Sequence, residues 1–256
     1  MPVLTRVRSN SAAPWLFIVL GLLSASAQTK QPGVLVPFVG CAADGQGGPV
    51  KAPAGKSRSV QIPPATAQQL AYYKGYAGLA VLAPRGWHCF SQYGSDGEML
   101  FVSTQAISSA QLFSTTWKGF SGPAIELSVT SGSTSGRFQV AQIIARVFPA
   151  HMNFAQNVIA EGIEPKSDFP VGPFPGDKLN YLSQEVVEYQ TPPNVAGLGT
   201  QSRLLKGANP IAGVAILAGP DTDLVQLSAR LPPALAGLEQ TIAHQVEADV
   251  KSSTIQ

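Results

Sequence analysis

The segment Ala83-Pro84-Arg85-Gly86-Trp87-His88-Cys89-Phe90, followed by Tyr93-Gly94-Ser95-Asp96-Gly97, gathers an unusual density of chemically able side chains. Together they could line a small cleft at the base of a hairpin. Arg85 would hold an anion, Trp87 or Tyr93 would stack on a ligand, Asp96 would add a carboxylate, and His88 would move a proton. The same residues also read as architecture. Pro84 and Gly86 shape a corner between strands, Trp87 and Phe90 fill core, Cys89 is bridged, and Arg85 pairs with a carboxylate or carbonyl. Architecture accounts for every residue except His88, so Arg85, Trp87, His88, Tyr93 and Asp96 stand as ligand-binding candidates and no catalytic residue is assigned.

Elsewhere the chemical patterns fail. His88, His151 and His244 have no mutual spacing that makes a zinc signature, and His244 falls opposite the apolar stripe of a terminal helix, toward solvent. Asp221-Thr222-Asp223 lacks the remainder of a calcium loop and reads as a turn. Gly132-Ser133-Thr134-Ser135-Gly136 has threonine where a nucleophile elbow needs serine. Glu185 and Glu188 lie three apart on a strand and face opposite ways, unlike a catalytic carboxylate pair. Phosphate loops and dinucleotide fingerprints are missing from the sequence, and no cofactor or metal is expected.

The compartment is set by the first 27 residues. Arg6 and Arg8 precede a short apolar run at 15–23, and Ala25-Ser26-Ala27 has the small-x-small pattern of a cleavage site. The apolar run is too short to span a bilayer, which takes about 20 residues. A secreted or periplasmic protein beginning at Gln28 is expected, with membrane attachment only through an uncleaved signal segment. Removing 1–27 takes away two arginines and no acids, which balances the formal charge. Nothing is left over to neutralise a phosphate backbone, which argues against nucleic-acid binding. In an oxidising compartment the pair Cys41 and Cys89 reads as a disulfide, stapling an extended Gly/Pro-rich arm over 28–58 to a single domain over 59–256.

Within that domain, 60–62 reads as a short strand and Pro63-Pro64 as the start of a helix carrying Ala67, Leu70, Ala71 and Tyr73 to Gly75. Strands are expected over 79–83, then over 87–93 and 98–104 as a hairpin around Gly94-Ser95-Asp96-Gly97. Ile125, Leu127 and Val129 alternate with Glu126, Ser128 and Thr130, a strand with one buried and one wet face. Helices follow over 137–148 and 151–160, then a loop, then strands over 181–190, 201–206, 211–218 and 224–231. Residues 211–218 are almost wholly apolar, as in a strand covered on both faces. Leu235, Leu238, Ile242, Val246 and Val250 mark a terminal helix. Consecutive strands separated by a helical pair make an α+β domain with a mainly antiparallel sheet, in an order similar to the Mog1/PsbP-like αβα sandwiches.

The Ala-Pro-Arg-Gly-Trp-x-Cys-Phe segment resembles that of an uncharacterised family of bacterial exported proteins. The likeness extends through Phe120-Ser121-Gly122-Pro123 and Ala145-Arg146-Val147-Phe148-Pro149. That family has no assigned activity, so the resemblance implies location and supplies no catalytic role. The expected function is a non-enzymatic envelope domain binding a partner protein or a small ligand. The alternative is an envelope hydrolase or transferase centred on His88 with Ser95 or Asp96.

Overall fold

The computed structural model describes residues 33–254; the segment over 1–27 expected to be a signal peptide lies outside the described residues. The chain opens with three short strands, β1 (Val34–Val36), β2 (Phe38–Gly40) and β3 (Ala43–Gly45), and β4 (Arg58–Val60) follows. The segment expected to be an arm therefore supplies strands, and among its described residues the longest stretch without turn or strand is 51–57. β1 and β4 form an antiparallel ribbon. α1 (Pro64–Ala67) is a single turn, after which β5 (Leu70–Lys74) pairs with β6 (Ala80–Pro84). The helix expected to run to Gly75 thus stops at one turn. Leu70, Ala71, Tyr72 and Tyr73 are all buried, because this strand is covered on both faces and so shows no alternation.

The main sheet has eight strands. β7 (His88–Gly94) and β8 (Gly97–Ser103) make the expected hairpin, followed by the short helix α2 (Ser109–Leu112) and β9 (Ala124–Thr130). Two helices, α3 (Arg137–Val147) and α4 (Met152–Ala160), precede β10 (Lys178–Tyr181) and β11 (Val186–Thr191). The strand expected over 181–190 is thus a hairpin of two. β12 (Ile211–Ala218), β13 (Asp223–Arg230) and the terminal helix α5 (Glu239–Thr254) complete the chain. The order is β10-β11-β12-β13-β9-β8-β7-β3, antiparallel throughout except for the parallel β7–β3 pair. Residues 201–206 make only a bridge, Leu204 to Phe120, in place of a strand. The fold is α+β with mostly antiparallel strands, as expected. Among the described residues no helix is long and apolar enough to cross a membrane.

Strand alternation decides which side chains meet which layer. Leu100, Val102, Ile125, Leu127, Val214, Ile216, Val225 and Leu227 face one way. They pack under α5, through Ile242 and Val246, and under the small β2-β5-β6 sheet, through Leu70, Tyr73, Val81 and Leu82. The opposite face carries α3 and α4, with Ile144, Val147, Phe148 and Val158 seated on Val187, Ala215 and Leu217. A third cluster of Phe101, Phe120, Ala124, Leu204 and Ile211 includes Trp117, whose ring stands edge-on to Phe101 and Phe120.

The face of β9 and β13 expected to be wet is buried. Glu126, Ser128, Gln226, Ser228 and Arg230 are at most 5 % exposed, because the chain over 198–207 lies across them. Each finds a backbone or side-chain partner, as buried polar groups must. Gln226 Nε2 donates to the Leu198 carbonyl at 3.2 Å, and Tyr189 Oη donates to the Leu227 carbonyl at 2.7 Å. Glu126 Oε2 accepts from the Arg203 backbone N–H at 2.6 Å.

Burial pushes the Glu126 carboxyl up to about 7, against the opposing pull of the Arg203 N–H and guanidinium. A folded-state pKa above the unfolded value means that folding takes up a proton in this window. The contribution is most favourable below the unfolded carboxyl range and is lost as pH rises through about 7. Glu239, also raised to about 7 by burial, adds in the same sense. Urea unfolding at about pH 5 and about pH 8 should show the protein weaker at the higher pH by up to about 3 kcal/mol. Glu126→Gln should remove about half of that difference, leaving the share of Glu239; an unchanged pH dependence in the variant would assign it to other groups.

Candidate functional site

The hairpin segment separates its candidates instead of gathering them. Gly86 turns the corner from β6 to β7 with φ of 81°, a conformation open to glycine and strained for other residues. Arg85 is tied to that corner, its Nε donating to the Leu70 carbonyl and its Nη2 to the Ala67 carbonyl, both at 2.8 Å. Trp87 is half-buried against the core, and its carbonyl accepts from Tyr73 Oη at 3.2 Å. His88 is exposed at the start of β7, across from Ser103.

Tyr93 and Asp96 lie at the far end of the hairpin. Five residues of strand put Tyr93 about 16 Å from His88 and on the opposite face. Tyr93 Oη donates to the Gly48 carbonyl at 2.7 Å, and its ring sits 4.8 Å from that of Tyr76. Asp96 is exposed in the turn, where its carbonyl accepts from the Ser131 N–H at 2.8 Å. Tyr93 and Asp96 do share a depression of about 340 Å³ with Gln46, Met99 and Phe113. Arg85, Trp87 and His88 take no part in it. Ser95 also lies in the turn at the far end of β7 from His88, its Oγ accepting from Gln46 Nε2 at 3.2 Å. The disulfide is present as expected: Cys41 and Cys89 are bonded, with their Cα atoms 5.3 Å apart.

A different concavity lies beside the last turns of α5. A cleft of about 650 Å³ opens between that helix, the start of β6 and the ends of β9 and β13, walled by Leu79, Ala80, Leu127, Val129, Val225 and Val246. Arg58, Tyr72 and Asp249 close one side of it. Arg58 Nη1 donates to Tyr72 Oη and Nη2 to Asp249 Oδ1, both at 2.6 Å, and Tyr72 Oη donates to Asp249 Oδ2 at 3.0 Å. The Arg58 guanidinium also lies over the Tyr72 ring, 4.3 Å from its centre. Gln245 Nε2 donates to Asp249 Oδ1 at 2.9 Å from one turn earlier on the helix.

These groups are hydrogen-bonded to one another. Burial and the neighbouring Asp249 raise the Tyr72 phenol well above its ordinary range, so it stays a neutral donor. The two hydroxyls on the cleft wall, Ser252 and Ser253, both donate to the Asp249 carbonyl, at 2.8 and 2.9 Å. No activated nucleophile faces the cleft among the described residues. An ion pair at one side of apolar walls is suited to a ligand with an apolar body and a polar end.

On the other side of α5 lies a second cleft, of about 730 Å³, walled by Leu182, Val186, Leu217 and Pro220. The turn at Ala218, Gly219 and Pro220 and the side chain of Val250 belong to both, so the end of α5 is a partition. Glu247 faces the second cleft and comes together with Glu188 and His244, their donor atoms all within 4.8 Å of one another.

Sequence reasoning missed Arg58, Tyr72 and Asp249. Arg58 was assigned to the arm, Tyr72 fell within the supposed helix, and Asp249 was a polar residue on an amphipathic helix. Their separations of 14 and 177 residues carry no motif, and only the pairing of β5 under α5 unites them. No family model matches this chain, and none of the curated proteins or solved structures compared with it matches either.

Proposed function

We propose that the chain is an exported envelope protein whose α+β domain binds a small ligand with an apolar body and a polar end in the cleft beside α5, without catalysis. The observation that carries this reading is the Arg58–Tyr72–Asp249 arrangement at the side of apolar walls. The export-like sequence over 1–27 and the Cys41–Cys89 bridge support an oxidising compartment.

An anionic aryl probe, 8-anilinonaphthalene-1-sulfonate, reports on such a site by its fluorescence and by raising Tm through mass action. Saturable binding is expected for the natural sequence. Leu79→Trp, which fills the cleft, and Arg58→Ala, which removes its cation, should each weaken binding at least about tenfold, or about 1.4 kcal/mol. Binding that is absent, or that both variants leave unaltered, overturns the assignment. His88→Ala, at the distant end of β7, should bind as the natural sequence does.

A further inference from the structure

We infer that Glu188, His244 and Glu247 form a binding site for a divalent transition-metal ion, of which Zn²⁺ is the type, at the contact between β11 and α5. This site is separate from the cleft assigned above. On α5, His244 and Glu247 are three residues apart and so project from one side of the helix. On β11, Glu188 sits opposite Val214, whose side chain belongs to the layer beneath α5. Glu188 Oε1 lies 3.5 Å from His244 Nε2. Its other oxygen, Oε2, accepts from Asn180 Nδ2 of β10 at 2.8 Å, which fixes the carboxylate with Oε1 turned toward the imidazole.

A second observation points to something that should lie among these donors. Glu247 Oε1 is shut off from water and has no hydrogen-bond partner among the described residues. A carboxylate oxygen in that position is costly unless a proton or a cation meets it. The Glu188 carboxylate stands beside it, their donor atoms within 4.8 Å of one another. Two carboxylates turned toward one another are what a divalent ion relieves. Lys251, one turn beyond, makes no ion pair with Glu247 among the described residues.

The geometry and donor types select the ion. Ligands held at about 2.0–2.1 Å in a tetrahedron stand about 3.4 Å apart, near the 3.5 Å between Glu188 and His244. The upper separation of 4.8 Å closes to that spacing with a movement of about 1.4 Å. One imidazole nitrogen with two carboxylate oxygens favours Zn²⁺ and its first-row neighbours over Mg²⁺ and Ca²⁺, which take oxygen sets of higher number. Three protein donors leave a position open to water or to a ligand atom. The His244 side chain is 54 % exposed, so an ion can enter from solvent.

Calorimetric titration of the untagged full chain with Zn²⁺, paralleled by Co²⁺ and its visible absorption, tests the site. One ion per chain is expected. His244→Ala and Glu188→Gln should each weaken it at least tenfold, and Asn180→Ala, which only orients Glu188, by about tenfold. His88→Ala and His151→Ala should leave it intact. Failure to saturate at millimolar Zn²⁺, or equal binding by His244→Ala, overturns the inference. Because His244 is exposed, its variant tests the ion without unfolding the chain.

Discussion

The double substitution Cys41→Ala with Cys89→Ala should lower the free energy of unfolding by about 4 kcal/mol, the loop-closure value for a bridge spanning 48 residues. The Cys41 end gives the reason for expecting nearly the full effect. Its side chain is 1 % exposed, and the residues around it form strands of only three residues each, followed by a stretch without regular structure over 51–57. Those strands hold few ladder bonds of their own. Without the bridge, their pairing with β5 and β7 must be regained against the entropy of a long unanchored segment. Equilibrium unfolding in denaturant would show the loss as a lower midpoint. Hydrogen exchange would localise it: amides over 34–45 should open first while β9, β12 and β13 stay protected. A loss under about 1 kcal/mol would mean that the short strands hold themselves in place.

Arg230→Met is expected to cost about 3 kcal/mol or more, although Arg230 has no carboxylate partner. Its guanidinium is 2 % exposed and is surrounded by carbonyls. Nη1 donates to Phe120, Ser121 and Gly122 at 3.2, 3.3 and 3.4 Å, and Nη2 donates to Leu205. One side chain at the end of β13 therefore ties down two separate loops. Methionine fits the volume but takes the guanidinium donors from the Ser121, Gly122 and Leu205 carbonyls, each loss costing on the order of 1–3 kcal/mol unless water reaches it, while the Phe120 carbonyl keeps the Leu205 N–H. Arg230→Lys should recover part of the loss through charge alone, since lysine lacks the planar fork. Chemical denaturation of the three proteins decides it. A methionine variant as stable as the natural sequence would show that the loops are held by Phe120, Leu204 and Trp117 packing and not by this cation.

What the sequence disclosed follows the kind of force involved. The hairpin around Gly94-Ser95-Asp96-Gly97, the helix over 137–147 and the apolar strand β12 were all readable, because local turn chemistry and side-chain period dictate them. Tyr72 and Tyr73 misled, because a strand buried on both faces loses its alternation and can imitate a helix. Glu126 and Gln226 misled in the opposite direction. Their alternation was genuine, but the loop over 198–207 covered the face expected to meet water.

The candidate sites were hidden for a related reason. His244 points away from the core stripe, as expected, its side chain 54 % exposed, and Glu185 lies just before β11, outside the strand that carries Glu188. Neither observation could reveal that β11 passes beside α5, bringing Glu188 to 3.5 Å from His244. Arg58 and Asp249 meet only because β4 and α5 share a neighbour in Tyr72. Conversely, the densest chemical segment dissolved into a corner and a bridge, since Arg85 spends its donors on backbone carbonyls.

The parallel pairing of β3 with β7 has a consequence for solubility. Ser91, Gln92 and Tyr93 of β7 would otherwise present unpaired backbone donors and acceptors along the rim of an eight-stranded sheet. Such a rim is a template on which another copy of the chain can add a strand. β3 occupies it from within the same molecule, and the parallel direction is available because that strand arrives from the N-terminal side. The bond at Cys89, two residues before Ser91, keeps the cover within reach. The bridge therefore guards the protein against its own copies as well as against unfolding.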